Sequence, residues 1–163
     1  MTGVPCSRVT STGPYQPSKT APMRKPKAAY HPVSAIRKAV PKKTTTPTAA
    51  IVVYCAGGVR SAFAARTLAE LGYENVHVRC GDGYGGWPDK APFDAIVVTA
   101  APDHVPQPLV QQLKIGGHLI IPVGPVGGVQ TLWRVTRTGE KEVQSENLGS
   151  VRFVPLTREE REE

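Results

Sequence analysis

The apolar positions fall into two regimes that meet near residue 50. Beyond it, Ile51 to Tyr54 is a β-branched and aromatic run ending at Gly57 and Gly58, the pattern of a buried strand entering a tight loop. Ser61 to Leu71 predicts a helix: Ser61 can cap it, and Phe63, Ala64, Leu68 and Leu71 recur at helical spacing until Gly72 stops it. Val76 to Val78 is a second strand, completing a strand, helix, strand unit. Phe93 to Ala100 and His118 to Val123 are nearly continuous in apolar residues, as strands covered on both faces should be. Between them Pro106 to Leu113 predicts a short helix closed by Gly116 and Gly117. Thr131 to Thr136 and Val151 to Leu156 then predict a closing antiparallel pair.

These elements predict an α/β fold of mostly parallel strands closed by an antiparallel pair. In an open sheet of this kind a ligand crevice belongs where the strand order reverses, outside the carboxyl ends.

Before residue 50 the pattern vanishes. The first acidic residue is Glu70, whereas residues 1–50 carry nine Lys and Arg and eight prolines among Ser and Thr. Such a stretch buries too little apolar surface to overcome its ordering entropy and reads as a disordered basic tail. The net charge of +7 is thus a property of the tail, and the remainder is close to neutral. Nucleic acid is a candidate partner only through this tail. There is no apolar run of membrane-spanning length and no secretory signal, so cytoplasm is the expected location. Cys6, Cys55 and Cys80 form no C-x-x-C pair, which argues against a disulfide framework or a zinc site and for no bound metal. The expected organisation is a tail over 1–50, a folded domain over 51–157 and a charged, solvated run over 158–163.

Two stretches carry the candidate chemistry. The first is Gly81-Asp82-Gly83-Tyr84-Gly85-Gly86-Trp87-Pro88, followed by Ala91 to Pro102, the Gly116 to Gly124 strand and Val151-Arg152-Phe153-Val154-Pro155-Leu156. From about Gly72 to Leu156 the chain resembles the carboxyl-terminal half of protein-L-isoaspartate O-methyltransferases. The resemblance implies a Rossmann-like methyltransferase sheet truncated at its N-terminal side, with S-adenosyl-L-methionine as cofactor and proteins or peptides bearing isoaspartate as substrates. If the Ile51 strand takes the place of the lost first strand, the strands order as Val76, Ile51, Phe93, His118, with the antiparallel pair beyond and the reversal between Ile51 and Phe93. It also implies cofactor contacts at Asp82, Gly83, Thr99 and Ala100 and substrate contacts at Ala101, Pro102 and Val154. On its own, Asp82 reads as a turn-former that caps its own backbone, and Val151 to Leu156 as a last core strand. Trp87 reads as a packing aromatic, His104 as a solvated loop residue and His118 as structural. Upstream of Gly72 the family's glycine-rich loop, its ribose-binding acid and its active-site serine find no counterpart.

In their place stands Tyr54-Cys55-Ala56-Gly57-Gly58-Val59-Arg60-Ser61, with Leu71-Gly72-Tyr73-Glu74-Asn75-Val76 behind it. Six residues from cysteine to arginine can curl into a ring of N–H groups at a helix start, which favours an anion and a thiolate. Residues 51–79 resemble the active-site strand, loop and helix of a rhodanese-type sulfurtransferase, which implies a persulfide on Cys55 steadied by Arg60. The readings in play are methyl transfer to isoaspartyl residues, impaired to the extent that the glycine-rich loop is lost, sulfur transfer by Cys55, and an inactive remnant.

Overall fold

The computed structural model describes residues 46–55 and 59–156. Residues 1–45, 56–58 and 157–163 lie outside the described residues, and with them the expectations of a disordered tail, of a ring of N–H groups between Cys55 and Arg60, and of a solvated terminal run.

Six strands form one sheet: β1 (Ile51–Cys55), β2 (Val76–Cys80), β3 (Phe93–Val98), β4 (Leu113–Val123), β5 (Gln130–Arg137) and β6 (Val143–Val151). Their order is β2-β1-β3-β4-β5-β6, parallel through β4 and antiparallel for the last two pairings. This is the order the resemblance implies with the Ile51 strand in place of the lost first strand, with the reversal between β1 and β3. Helices α1 (Val59–Glu70) and α2 (Gln107–Gln111) connect parallel strands.

All five residues of β1 are buried because apolar layers cover both faces of the sheet. On one face Ile51, Val53, Val76 and Val78 pack with Ala64, Ala65 and Leu68 of α1. On the other, Val52, Tyr54, Ile96, Leu119 and Ile121 pack with Leu109 of α2 and with Leu156. Gly72 ends α1 with φ +93, its N–H on the Ala69 carbonyl, while the Tyr73 N–H reaches the Leu68 carbonyl. The buried Tyr73 and Leu68 side chains share a cluster, so the stop signal and the core contact arise together.

Three local expectations need correction. Helix α1 starts at Val59, so Ser61 lies inside its first turn, fully buried, rather than capping it. Helix α2 ends at Gln111, and Leu113 already pairs with Phe93 in β4. Gly116 and Gly117 therefore do not close a helix but carry an irregularity in β4, where the register against β3 shifts between Phe93 and Ala95. A Cβ on Gly117 would stand 2.9 to 3.1 Å from the carbonyl oxygens of Lys114, Asp94 and Phe93, which leaves room for glycine alone.

The third correction concerns the closing strand. The partner of β5 is the polar Val143–Val151, not Val151 to Leu156. As an edge strand with nearly every residue exposed it needs no apolar alternation, only backbone pairing with β5. Residues 152–156 instead turn back across the sheet. There Val154 O accepts from Ala101 N at 2.7 Å, Leu156 N donates to Ala101 O at 2.9 Å, and Pro155 bridges Ala101 in parallel. Buried Gln130 holds this strap, accepting from Phe153 N at 2.8 Å and donating to Pro125 O at 3.0 Å.

Candidate functional site

The carboxyl ends of β1, β2 and β3 converge on one side of the sheet, and the candidate residues follow each strand directly. Tyr54 pairs with Arg79 on β2 and with Val98 on β3, which puts Cys55 beside Cys80 and beside the start of Thr99. The Thr99 N–H and hydroxyl both donate to the Tyr54 carbonyl, at 3.0 and 2.8 Å. Cys55 and Thr99 thus meet at one end of the sheet, as the switch-point arrangement requires.

Beyond β2 the chain turns through Gly81, whose φ of +102 is a left-handed conformation suited to glycine. Asp82 Oδ1 accepts from Tyr84 N at 2.9 Å, the self-capping turn its residue type favours. Its Oδ2 has no hydrogen bond among the described residues, and Asp82 lines a cleft. That cleft, about 400 Å³, is lined by Arg79, Cys80, Gly81, Asp82, Gly85, Gly86 and Pro88. Gly83 is buried, and a Cβ there would stand 3.1 Å from Leu156 Cδ1 and 3.6 Å from Tyr54 Cβ, so the turn lies flat on the strap.

Other candidates form the closed floor beside the cleft. Thr99, Ala100 and Ala101 are each at most 3% exposed, Pro102 is buried too, and Val154 covers Ala101. The open volume therefore sits at the β2 side of the switch point, with Thr99 to Pro102 beneath the strap. Cys55 is 2% exposed, whereas Arg60 on the first turn of α1 is exposed.

Two groups that position this cleft escape sequence reasoning. Gln112 Oε1 accepts from Trp87 N at 2.7 Å and its Nε2 donates to Gly85 O at 3.0 Å, clamping the glycine loop from the end of α2. A Cβ on Gly86 would collide with that side chain at 2.3 Å. Arg79 lies with its Cζ 5.0 Å from the Trp87 ring centroid, and His77 meets the same ring edge-on at 6.4 Å. Trp87 is thus packed as expected, fixing the loop against β2. Glutamine carries no sequence signal for a contact 25 residues away. The Arg79 contact depends on an in-register position that only the sheet defines.

His104 is exposed, bonded to neighbouring Asp103 and 5.9 Å from the Tyr84 ring. His118 Nδ1 meets Thr136 Oγ1 at 2.9 Å across β4 and β5, a structural role. Burial pushes the pKa values of His118 and His77 down, helped by Arg134 and Lys90 respectively. Both folded values then lie below the ordinary 6.5, so the unfolded chain binds more protons in this range. Stability is expected to be intact above that value and to fall as pH drops through it toward the folded pKa values. Thermal unfolding scanned from pH 7.5 to about 5.5 should show this decline, and the variant His77→Asn with His118→Gln should flatten it. An equally steep decline in the variant would remove the histidines as its cause.

Tyr54 presents the opposite case. It is 1% exposed, its hydroxyl has no partner among the described residues, and burial pushes its pKa far up while nearby Arg79 pulls it back. An unsatisfied buried hydroxyl costs stability, so Tyr54→Phe is expected to raise the unfolding free energy by about 1 kcal/mol. A loss of stability in urea denaturation would mean that the hydroxyl is bonded in solution.

The model of the protein-L-isoaspartate(D-aspartate) O-methyltransferase family matches residues 58–161, well over half of the chain. The chain belongs to this family. A rhodanese-like domain model matches residues 19–90, so both resemblances read in the sequence recur, and they overlap across α1 and β2. The chain is 57% identical over 100 residues to protein-L-isoaspartate O-methyltransferase of Gloeobacter violaceus, covering 61% of this chain and 48% of that protein. It is 58% identical over 97 residues to the enzyme of Opitutus terrae, covering 59% and 41%. The chain spans about half the length of the curated relatives it matches. Among solved structures, a protein-L-isoaspartate O-methyltransferase superposes with a TM-score of 0.56 at 24% identity, over 76% of this chain and 45% of its own. A Plasmodium falciparum chain described as a beta-aspartate methyltransferase, in complex with S-adenosyl-L-homocysteine, gives 0.59 at 20% identity, over 90% and 81%. At these identities the likeness speaks for the fold alone. This family member has, among its described residues, no helix long and apolar enough to cross a membrane and no cluster of three metal-ligating side chains.

Proposed function

We propose that this chain binds S-adenosyl-L-methionine in the cleft beyond β2 and methylates the side-chain carboxylate of L-isoaspartyl residues in damaged proteins and peptides, in the cytoplasm. The observation that carries this reading is the Gly81-Asp82-Gly83 turn beside an open 400 Å³ cleft, within the family's matched segment.

The residues fit the adenosine portion of the cofactor. Asp82 keeps one carboxylate oxygen for its own turn and offers Oδ2 to the cleft as an acceptor for an amine or hydroxyl. Gly81 and Gly85 let a flat ring approach the backbone, Gly86 makes room for the Gln112 clamp, and Gly83 keeps the turn pressed on Tyr54 and Leu156. Thr99 and Ala100 support that turn as a floor, since the Thr99 hydroxyl is committed to the Tyr54 carbonyl. Ala101, Pro102 and Val154 form the strip along which a substrate peptide would lie. The bound cofactor supplies an electrophilic methyl group, so alignment with the carboxylate matters more than any acid or base.

Isothermal titration with S-adenosyl-L-homocysteine tests the reading. Saturable binding is expected, weakened roughly tenfold or more in Asp82→Ala by loss of a charge-assisted hydrogen bond. No heat at millimolar ligand would overturn the assignment.

A second reading has one observation in its favour: Cys55 ends β1 just before α1, with Arg60 in the helix's first turn, where the rhodanese-like model also matches. Persulfide transfer by Cys55 would release thiocyanate from thiosulfate and cyanide, and Cys55→Ser would abolish it. The deep burial of Cys55 weighs against it, because a sulfur carrier must meet its acceptor.

A further inference from the structure

Cys55 and Cys80 occupy matched positions on adjacent parallel strands: both end their strands, and they are direct register partners. Among the described residues neither is in a disulfide. Side chains alternate along a strand, so Cys55 lies on the face of Val53 and Ile51 and Cys80 on the face of Val78 and Val76. Those four residues share one apolar cluster, which puts the two thiols on the same side of the sheet. Neighbouring strands are roughly 4.8 Å apart, within the roughly 4.4–6.8 Å between Cα atoms that a disulfide spans. The two differ in access: Cys55 is 2% exposed, while Cys80 is half-buried and lines the open cleft.

We propose that Cys80 and Cys55 form a thiol–disulfide exchange site that takes low-molecular-weight disulfides of the glutathione type through the cleft. The Cys80 thiolate attacks one sulfur of the small disulfide, forms a mixed disulfide and expels one glutathione thiolate. Cys55, losing its proton, then attacks Cys80 Sγ and expels the second. The pair gives up two electrons and two protons, and the small disulfide leaves as two thiols. Paired parallel strands hold side chains slightly wider apart than a relaxed disulfide prefers, so the bond draws the strand ends together and is readily reduced. It forms at the wall of the cleft beside Asp82, and it is independent of whether the cleft carries out methyl transfer.

The test uses the full chain with Cys6→Ser, which leaves only these two thiols. After incubation with glutathione disulfide, alkylation in denaturant and intact mass are expected to show both thiols lost, no glutathione attached and a monomer on a non-reducing gel. Cys55→Ser, or Cys55→Ala should serine unfold the chain, is expected to stop at one stable glutathione adduct on Cys80. Cys80→Ser is expected to react at least about tenfold more slowly, because the remaining thiol is shielded. Two adducts on the parent, unchanged thiols, an intermolecular dimer, or equal reactivity of Cys80→Ser would each overturn the proposal.

Discussion

Replacing Phe93 by alanine is expected to lower the unfolding free energy by about 3–5 kcal/mol, a large share of the roughly 5–15 kcal/mol that holds such a domain together. Phe93 is 1% exposed and opens β3, where its N–H donates to Gln112 O at 2.8 Å and its register partner is the fully buried Leu113. Its ring packs in the cluster of Leu109, Leu113 and Leu119, on the side where α2 covers the sheet. The neighbouring backbone is fixed by the β3–β4 pairing and by the close approach of Gly117 to the Phe93 and Asp94 carbonyls, so the cavity cannot readily collapse. The damage should also travel. Gln112, which clamps Gly85 and Trp87, lies next to Leu113, so loosening this joint releases the cleft wall as well. Urea denaturation should show a lower midpoint at unchanged slope, and a loss below about 1.5 kcal/mol would mean that the joint repacks.

The second large effect is expected at Gly81→Val, which strikes fold and site together. At φ +102 a β-branched side chain is strained, at a cost of about 1–3 kcal/mol. The residue lines the cleft and follows Cys80 at the end of β2, so any relief of strain moves the turn that carries Asp82. Binding of S-adenosyl-L-homocysteine is therefore expected to fall more than about tenfold, with a lower thermal midpoint. Gly85→Ala is the matched control for stability, because a Cβ there meets nothing within 4 Å. An equal drop in midpoint for both variants would show that backbone conformation at Gly81 is not the cause.

Much of this was legible because long apolar runs have few interpretations. Ile51 to Tyr54, Phe93 to Val98 and His118 to Val123 are strands in a sheet covered on both faces, and continuous burial leaves them little choice. The Gly72 stop was equally legible, since its positive φ and the Tyr73–Leu68 contact are local. Strand β6 was not legible: an exposed edge strand is held by backbone hydrogen bonds, which every residue type can make. Phe153, Val154 and Leu156 are apolar without being a strand for a different reason: they cover a sheet end.

The sequence by itself determined the order of the parallel strands, the side of the sheet on which Cys55, Asp82 and Thr99 gather, and the family. The strands and turns follow from periodicity and local turn chemistry, which act over a few residues, whereas their order and the family follow from the run of motifs between Gly72 and Leu156 that resembles the family. Only the tertiary structure decided that Thr99 to Pro102 lie under a strap and that the open cleft sits beyond β2. It alone put Gln112 on the Trp87 loop and Cys80 beside Cys55. Those outcomes depend on which distant backbones come into register, and a contact across 25 residues leaves no trace in local pattern.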